Sequence, residues 1–159
     1  MDKKLEKYLK NYSVKYEEYP HKAVFTVAES CDLKKSIPGM HCKCLFLKDD
    51  SGKFYLVAMP AEKRLDFNRL RKVLEVRKLH FASEVELFGF LRLKPGSVSI
   101  FGLINDTLGI VNFILDKSVW DASFCGFHPN INTSTIVISR GDLERFYNSL
   151  NNTKMVVEL

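Results

Sequence analysis

Three short stretches hold residue types that could do chemistry. Cys42-Lys43-Cys44 sets a cation between two thiols in an apolar run. KPGSVSIFGLIND (94–106) carries two glycines, two serines and an Asn-Asp pair, and GFHPNINTSTIVIS (126–139) sets His128 against Pro129. Cys42-x-Cys44 and Cys125-x-x-His128 together make a Cys₃His set, the donor complement of a tetrahedral zinc centre. The spacing speaks against zinc. Ligand pairs usually bracket a turn of two to four residues, whereas Cys42 and Cys44 lie in a β-patterned run where a free thiol behaves as a small hydrophobe. No metal and no other cofactor is expected. Strand alternation puts Lys43 on the face opposite both thiols. It then either snorkels from an exposed face, the commoner arrangement, or projects into a cleft to hold an anion.

The glycines of 94–106 let backbone N–H groups approach a ligand closely, and successive N–H groups can form an anion-binding nest. The same residues also make an ordinary turn, and the pattern is not that of a Walker loop. For His128 the bland alternative is a ring bonded to a local carbonyl, in a turn built by Asn130, Asn132 and Thr133 that feeds a strand. Neither a nucleophile elbow nor a cysteine-protease signature is present, so no Ser-His-Asp or Cys-His arrangement can be assembled. His41 and His80 read as structural or exposed.

The elements that must position these residues belong to a chain of 159 residues, 46% hydrophobic and 12% aromatic, enough for one domain over 1–159 with a core of its own. The formal charge of +5 suits an anionic partner such as RNA without requiring one. MDKKLEKYLK has no apolar stretch behind it and is no signal peptide, and no run approaches the roughly 18 apolar residues of a membrane span. A cytoplasmic protein with no membrane partner is expected. Four cysteines without a paired framework suit a reducing compartment.

Residues 2–10 read as an amphipathic helix and 14–19 as a first strand. Thr26 to Glu29 has the form of a capping box opening a short helix that ends before Pro38. CKCLFL (42–47) and FYLVAM (54–59) flank DDSGK, a strong hairpin signal, and Pro60 stops the second strand. Residues 61–76 form a basic amphipathic helix with Phe67, Leu70, Val73 and Leu74 at helical spacing. Lys63, Arg64, Arg69, Arg71 and Lys72 fill its other positions, as a nucleic-acid surface or a solvated face. A second capping box, Ser83 to Glu86, opens a helix through Phe90. Strands follow at 110–115 and 135–139, then a helix from Ser139 to about Leu150, and MVVEL as an edge strand. The expectation is a mixed α/β domain around one twisted or barrel-like sheet.

Taken in order, YPHKAVFTVAES, Lys43 with LFLKDDSGKFYLVAMP, KRLD, LHFAS, PGSVSIFGLIND and FHPNINTSTIVISRGDLERF resemble the YbaK/prolyl-tRNA synthetase-associated domain family, in its free-standing ProX/PrdX-type branch. The resemblance covers residues 15–148. It implies a mixed α/β fold with a barrel-like sheet and an aminoacyl-tRNA deacylase that removes alanine from proline tRNA. It makes mischarged tRNA the partner, with prolyl-tRNA synthetase a further one. Carried over by position, Lys43 holds the tRNA 3′ end. Gly96, Ser97, Val98 and Ser99 form the loop beside the aminoacyl group, with Gly96 and Ser97 near the reacting carbonyl. His128 borders the amino-acid pocket and sets its size. His21 with Thr26, and Asn105 with Asp106, match further substrate-side patterns. Cys44 stands where members of this branch carry asparagine, which leaves two alternatives open: cysteinyl specificity, or a non-catalytic module that binds tRNA or a synthetase.

Overall fold

A computed structural model describes residues 1–23, 32 and 35–159. The capping box expected at Thr26 and Glu29 lies outside the described residues. Helix α1 (Lys3–Asn11) is capped by Asp2 and buries Leu5 and Leu9. Strand β1 (Glu17–Pro20) starts three residues later than its sequence suggests, because Val14 turns inward and bonds the Leu9 carbonyl (2.9 Å). β2 (Met40–Asp49) and β3 (Phe54–Pro60) form the expected hairpin, with Gly52 at φ +87° in its turn. Helix α2 (Phe67–Leu74) is shorter than its apolar spacing implies, since Asp66 caps its start and Glu75 ends it in a left-handed conformation.

β4 (Leu79–Phe81) leads to α3 (Glu84–Leu91), opened by the Ser83–Glu86 capping box read from the sequence. A 3₁₀ helix (Ile100–Asn105) precedes β5 (Asn112–Asp116), short α4 (Lys117–Trp120), β6 (Phe124–Phe127) and β7 (Ser134–Ser139). Helix α5 (Arg140–Ser149), capped by Ser139 as expected, and β8 (Lys154–Val157) end the chain. The strands form one mixed sheet ordered β1-β7-β6-β2-β3-β5-β8, with β4 on β2. The α/β class is therefore the one expected, and the parallel pairs β2·β6, β3·β5 and β5·β8 are what make the sheet mixed.

One face of the sheet packs against α1, α3, the 3₁₀ helix and α5 through Leu5, Leu91, Phe101, Phe113 and Phe146. The other packs Leu47, Val57 and Met59 against Leu65 and Leu70 of the α2 region. Even-numbered residues of β2 join the first cluster and Leu45 and Leu47 the second, so Lys43 shares the α2 face.

The β2–β3 turn is locked by Asp49, 1% exposed, which accepts bonds from the Ser51 and Lys53 N–H groups (2.8 and 2.9 Å) and from the Ser51 and Tyr55 hydroxyls (2.8 and 2.7 Å). Burial alone would raise this carboxyl, but the four donors outweigh it and hold it below its ordinary range. A depressed carboxyl contributes stability above its unfolded-state pKa, near 4, and loses it as pH falls through the lower folded value. Asp49→Ala is therefore expected to lower unfolding stability at pH 7 by about 2–3 kcal/mol. In urea titrations the gap from the parent protein should narrow below pH 4. Equal stability at pH 7 would contradict the role.

Candidate active site

Strand β2 meets different partners along one edge. β6 pairs with Met40 and His41, β4 with Leu47 to Asp49, and between them the loop after α3 approaches the strand. A pocket of about 190 Å³ opens there, lined by Cys42, Lys43, Cys44, Gly96, Val98, Phe127 and His128. Three remote stretches thus meet, and five of the seven residues are ones the sequence singles out for the site.

The loop is held by a turn in which the Ser97 N–H donates to the Lys94 carbonyl (3.0 Å) and Gly96 adopts φ +86°. A side chain at Gly96 would be strained by that conformation rather than by crowding, since a Cβ there would stand 3.9 Å from its nearest neighbour, Asn132 Nδ2. Ser97 and Ser99 do not line the pocket. The Ser97 N–H is committed to the turn. The fully buried Ser99 hydroxyl caps the 3₁₀ helix by accepting from the Phe101 N–H (3.2 Å). The loop residues that line the pocket are Gly96 and Val98.

His128 follows β6 directly. Its Nδ1–H donates to the Ser134 carbonyl (3.0 Å), which leaves the Nε2 lone pair as the acceptor. Burial lowers its pKa from the ordinary value; the Ser134 carbonyl opposes that shift and nearby His21 reinforces it. The ring is therefore neutral at pH 7. Asn130 takes the left-handed conformation (φ +64°) that reverses the chain behind it, and its Nδ2 reaches the Phe101 carbonyl (3.4 Å).

His21 lies 6.0 Å from His128, ring to ring, but uses both nitrogens elsewhere: Nδ1–H donates to the Lys22 carbonyl (2.8 Å) and Nε2 accepts from the Thr135 hydroxyl (2.9 Å). It ties the end of β1 to β7 beneath the His128 turn and is a positioning residue. Asn105 and Asp106 are also placed away from the pocket. Asn105 Nδ2 bonds the Leu91 carbonyl (2.9 Å), and buried Asp106 accepts from the N–H groups of Ile110 and Val111 (3.1 and 2.7 Å) and from Asn152 (2.8 Å). These residues fasten a loop. Thr26 lies outside the described residues.

Sequence reading missed Cys42 and Phe127 as pocket walls. Phe127 is fixed by an edge-on contact with Phe101 (6.1 Å, 81°). Its only sequence signal is its place before His128. Cys42 and Cys44 point into the same core as Cys125. A hydrogen bond with the Cys125 thiol, and then burial, push the Cys42 thiol well up, and burial pushes Cys44 up to about 12 against the pull of the Ile100 N–H. Both are protonated at neutral pH and serve as walls rather than nucleophiles. No set of three metal-ligating side chains gathers among the described residues. Lys43 makes no hydrogen bond or ion pair among the described residues, so its charge is available at the pocket mouth.

With this geometry, the comparisons become specific. Residues 21–146 match the model of the aminoacyl-tRNA editing domain. The chain is 34% identical over 152 residues to the prolyl-tRNA editing protein ProX of Acetoanaerobium sticklandii, covering 95% of this chain and 93% of that one. It is 30% identical over 157 residues to prolyl-tRNA synthetase associated domain-containing protein 1 of Danio rerio, covering 98% and 85%. Its fold matches the crystal structure of the hypothetical protein APE2540 (TM-score 0.77, 18% identity, 98% of each chain). It also matches that of a candidate trans-editing enzyme for prolyl tRNA synthetase (TM-score 0.75, 14% identity, 100% and 98%). The chain belongs to the aminoacyl-tRNA editing domain family. It is an aminoacyl-tRNA deacylase, a hydrolase of the ester that joins amino acid to tRNA.

The raised thiols carry their own expectation. In a Cys31→Ser background, Cys42 and Cys44, and with them Cys125 by its full burial, should alkylate with iodoacetamide at pH 8 at least about 100-fold more slowly than a free cysteine until denaturant is added. Labelling of the folded protein at the free-cysteine rate would contradict the buried, protonated walls.

Proposed function

We propose that this deacylase acts in trans on mischarged proline tRNA, with the alanyl ester as its principal substrate. The observation that carries the reading is the convergence of Lys43, Gly96, Val98 and His128 on one small pocket with apolar walls. A synthetase site shaped for proline cannot strongly reject a smaller apolar amino acid, and a second site that admits only the smaller one removes the error. Cys42, Cys44, Val98 and Phe127 give that second site its apolar lining, and the shape of that lining is what must admit the alanyl methyl group and turn the prolyl ring away. His128 closes the wall.

Lys43 holds a phosphate near the tRNA 3′ end, and the N–H groups of Gly96 and Val98 face the ester. An aminoacyl ester is already activated, so a positioned water, or water aided by the tRNA's terminal hydroxyl, suffices without a protein nucleophile. The tRNA would then run over the α2 region, which begins beside the pocket where the Ala61 N–H bonds the His41 carbonyl (2.8 Å). There Arg64, Arg69 and Lys72 are exposed, while Lys63 is engaged with buried Asp116 (3.0 Å) and Arg71 with Asn68 and the Arg77 carbonyl. The charges offered to phosphate are Arg64, Arg69 and Lys72. The names of the relatives support proline tRNA as substrate and prolyl-tRNA synthetase as the enzyme upstream.

A second reading, cysteinyl ester on the same tRNA, is favoured by one observation: Cys42 and Cys44 line a pocket suited to a thiol-bearing side chain as well as to a methyl group. Deacylation of alanyl-, cysteinyl- and prolyl-tRNA(Pro) by the purified protein separates the two. The expected order is alanyl first, cysteinyl weaker and prolyl spared, with Lys43→Ala lowering kcat/KM at least about 100-fold while the circular-dichroism melt is unchanged. His128→Ala should narrow the preference for alanyl over prolyl ester. Full activity in the Lys43 variant would refute the site, and hydrolysis of none of the esters would refute the function.

A further inference from the structure

We propose that the unpaired edge of β2 at Cys42 and Cys44 is itself a recognition element for the aminoacyl group, built from backbone atoms. This rests on the deacylase reading above and names the contacts that reading leaves open. Register fixes where each peptide group points. The His41 carbonyl accepts from the Ala61 N–H (2.8 Å) and the Asp49 N–H donates to the Lys53 carbonyl (3.0 Å), so odd-numbered residues of β2 bond toward β3. Even-numbered residues bond toward the other edge, where the Phe46 carbonyl accepts from the Ala82 N–H (3.0 Å).

On that second edge the β6 ladder stops at His41↔Gly126 and the β4 ladder begins at Leu47↔Phe81. Between them lie the Cys42 carbonyl and both the N–H and the carbonyl of buried Cys44. Among the described residues none of the three has a backbone partner. A buried peptide group left unpaired is costly, so the occupant of the pocket is the natural source of partners.

The chemistry of that occupant matches the three groups. An aminoacyl ester brings an α-ammonium and an ester carbonyl. No described residue lining the pocket is acidic, and its one cation is Lys43. The acceptors for the ammonium are therefore the Cys42 and Cys44 carbonyls and His128 Nε2, three sites matched to the three donors of a primary ammonium. A prolyl ester offers only two. The Cys44 N–H donates to the ester carbonyl oxygen. When water adds to the carbonyl carbon, the double-bond electron pair moves onto that oxygen and the N–H stabilises it. Return of the pair expels the ribose oxygen, which takes a proton from the added water, leaving free amino acid and deacylated tRNA.

The test compares two chains that differ by one atom group: alanine at position 44, and lactic acid at position 44, which replaces the N–H by an ester oxygen. A second ester at Val57 removes a β3 ladder donor and controls for a weakened sheet. We expect the position-44 ester to lower kcat on alanyl-tRNA(Pro) about 100-fold relative to the position-44 amide, as for loss of one oxyanion donor. The Val57 ester should leave kcat within twofold of the unmodified chain. Equal kcat for ester and amide at 44, or an equal drop from the Val57 ester, overturns the inference while the deacylase reading stands. If the unmodified chain hydrolyses none of the three esters, the deacylase reading falls and takes this inference with it.

Discussion

The structure depends on how β2 divides its hydrogen bonds. One edge is fully committed to β3 over Cys42 to Lys48, while the other is shared between β6 at its start and β4 at its end. A strand so divided leaves a short stretch of its edge without a partner in the middle of a sheet. That stretch contains Cys42, Lys43 and Cys44, and the pocket forms there because no fourth strand can fill it.

The surroundings follow from that gap. β6 ends beside it, so its last residue, Phe127, and the following His128 become one wall, and β7 holds the His128 ring through the Ser134 carbonyl. The 3₁₀ helix seats Phe101 behind Phe127 and presents the Ile100 N–H to the Cys44 thiol. Pleating then divides the labour between faces: thiols line the apolar side while Lys43 shares the face of α2, where the exposed arginines and lysines lie. A single register accounts for an apolar side-chain pocket next to a cationic surface. Position 44 carries a buried thiol, and the polar atoms that remain at that position are its peptide groups.

Much of this was legible in the sequence. The capping box at Ser83 and the cap at Ser139 marked helix starts, and DDSGK marked the hairpin, because these signals are local. Lys43 stood out by strand alternation alone. What could not be read was long-range. β6 is four residues, FCGF, in which Gly126 blurs any strand pattern, and its parallel pairing with β2 joins residues more than eighty positions apart. Phe127 as a wall was hidden for that reason. Asn105 and Asp106 were misleading in the opposite way: a polar pair after a glycine loop looks like a binding site, yet their side chains close a loop against Leu91 and Asn152.

The central claim, that the gap in β2 is the aminoacyl pocket, is tested most directly by a crystal structure with a non-hydrolysable analogue, adenosine carrying alanine through a 3′-amide. The account predicts the alanyl methyl group against Cys42, Val98 and Phe127, with the adenosine on the Lys43 side. The same amide of proline should bind at least about tenfold more weakly. An analogue seated elsewhere, such as the hollow between Tyr16, Phe124 and Val137, or equal affinity for the two amides, would contradict it.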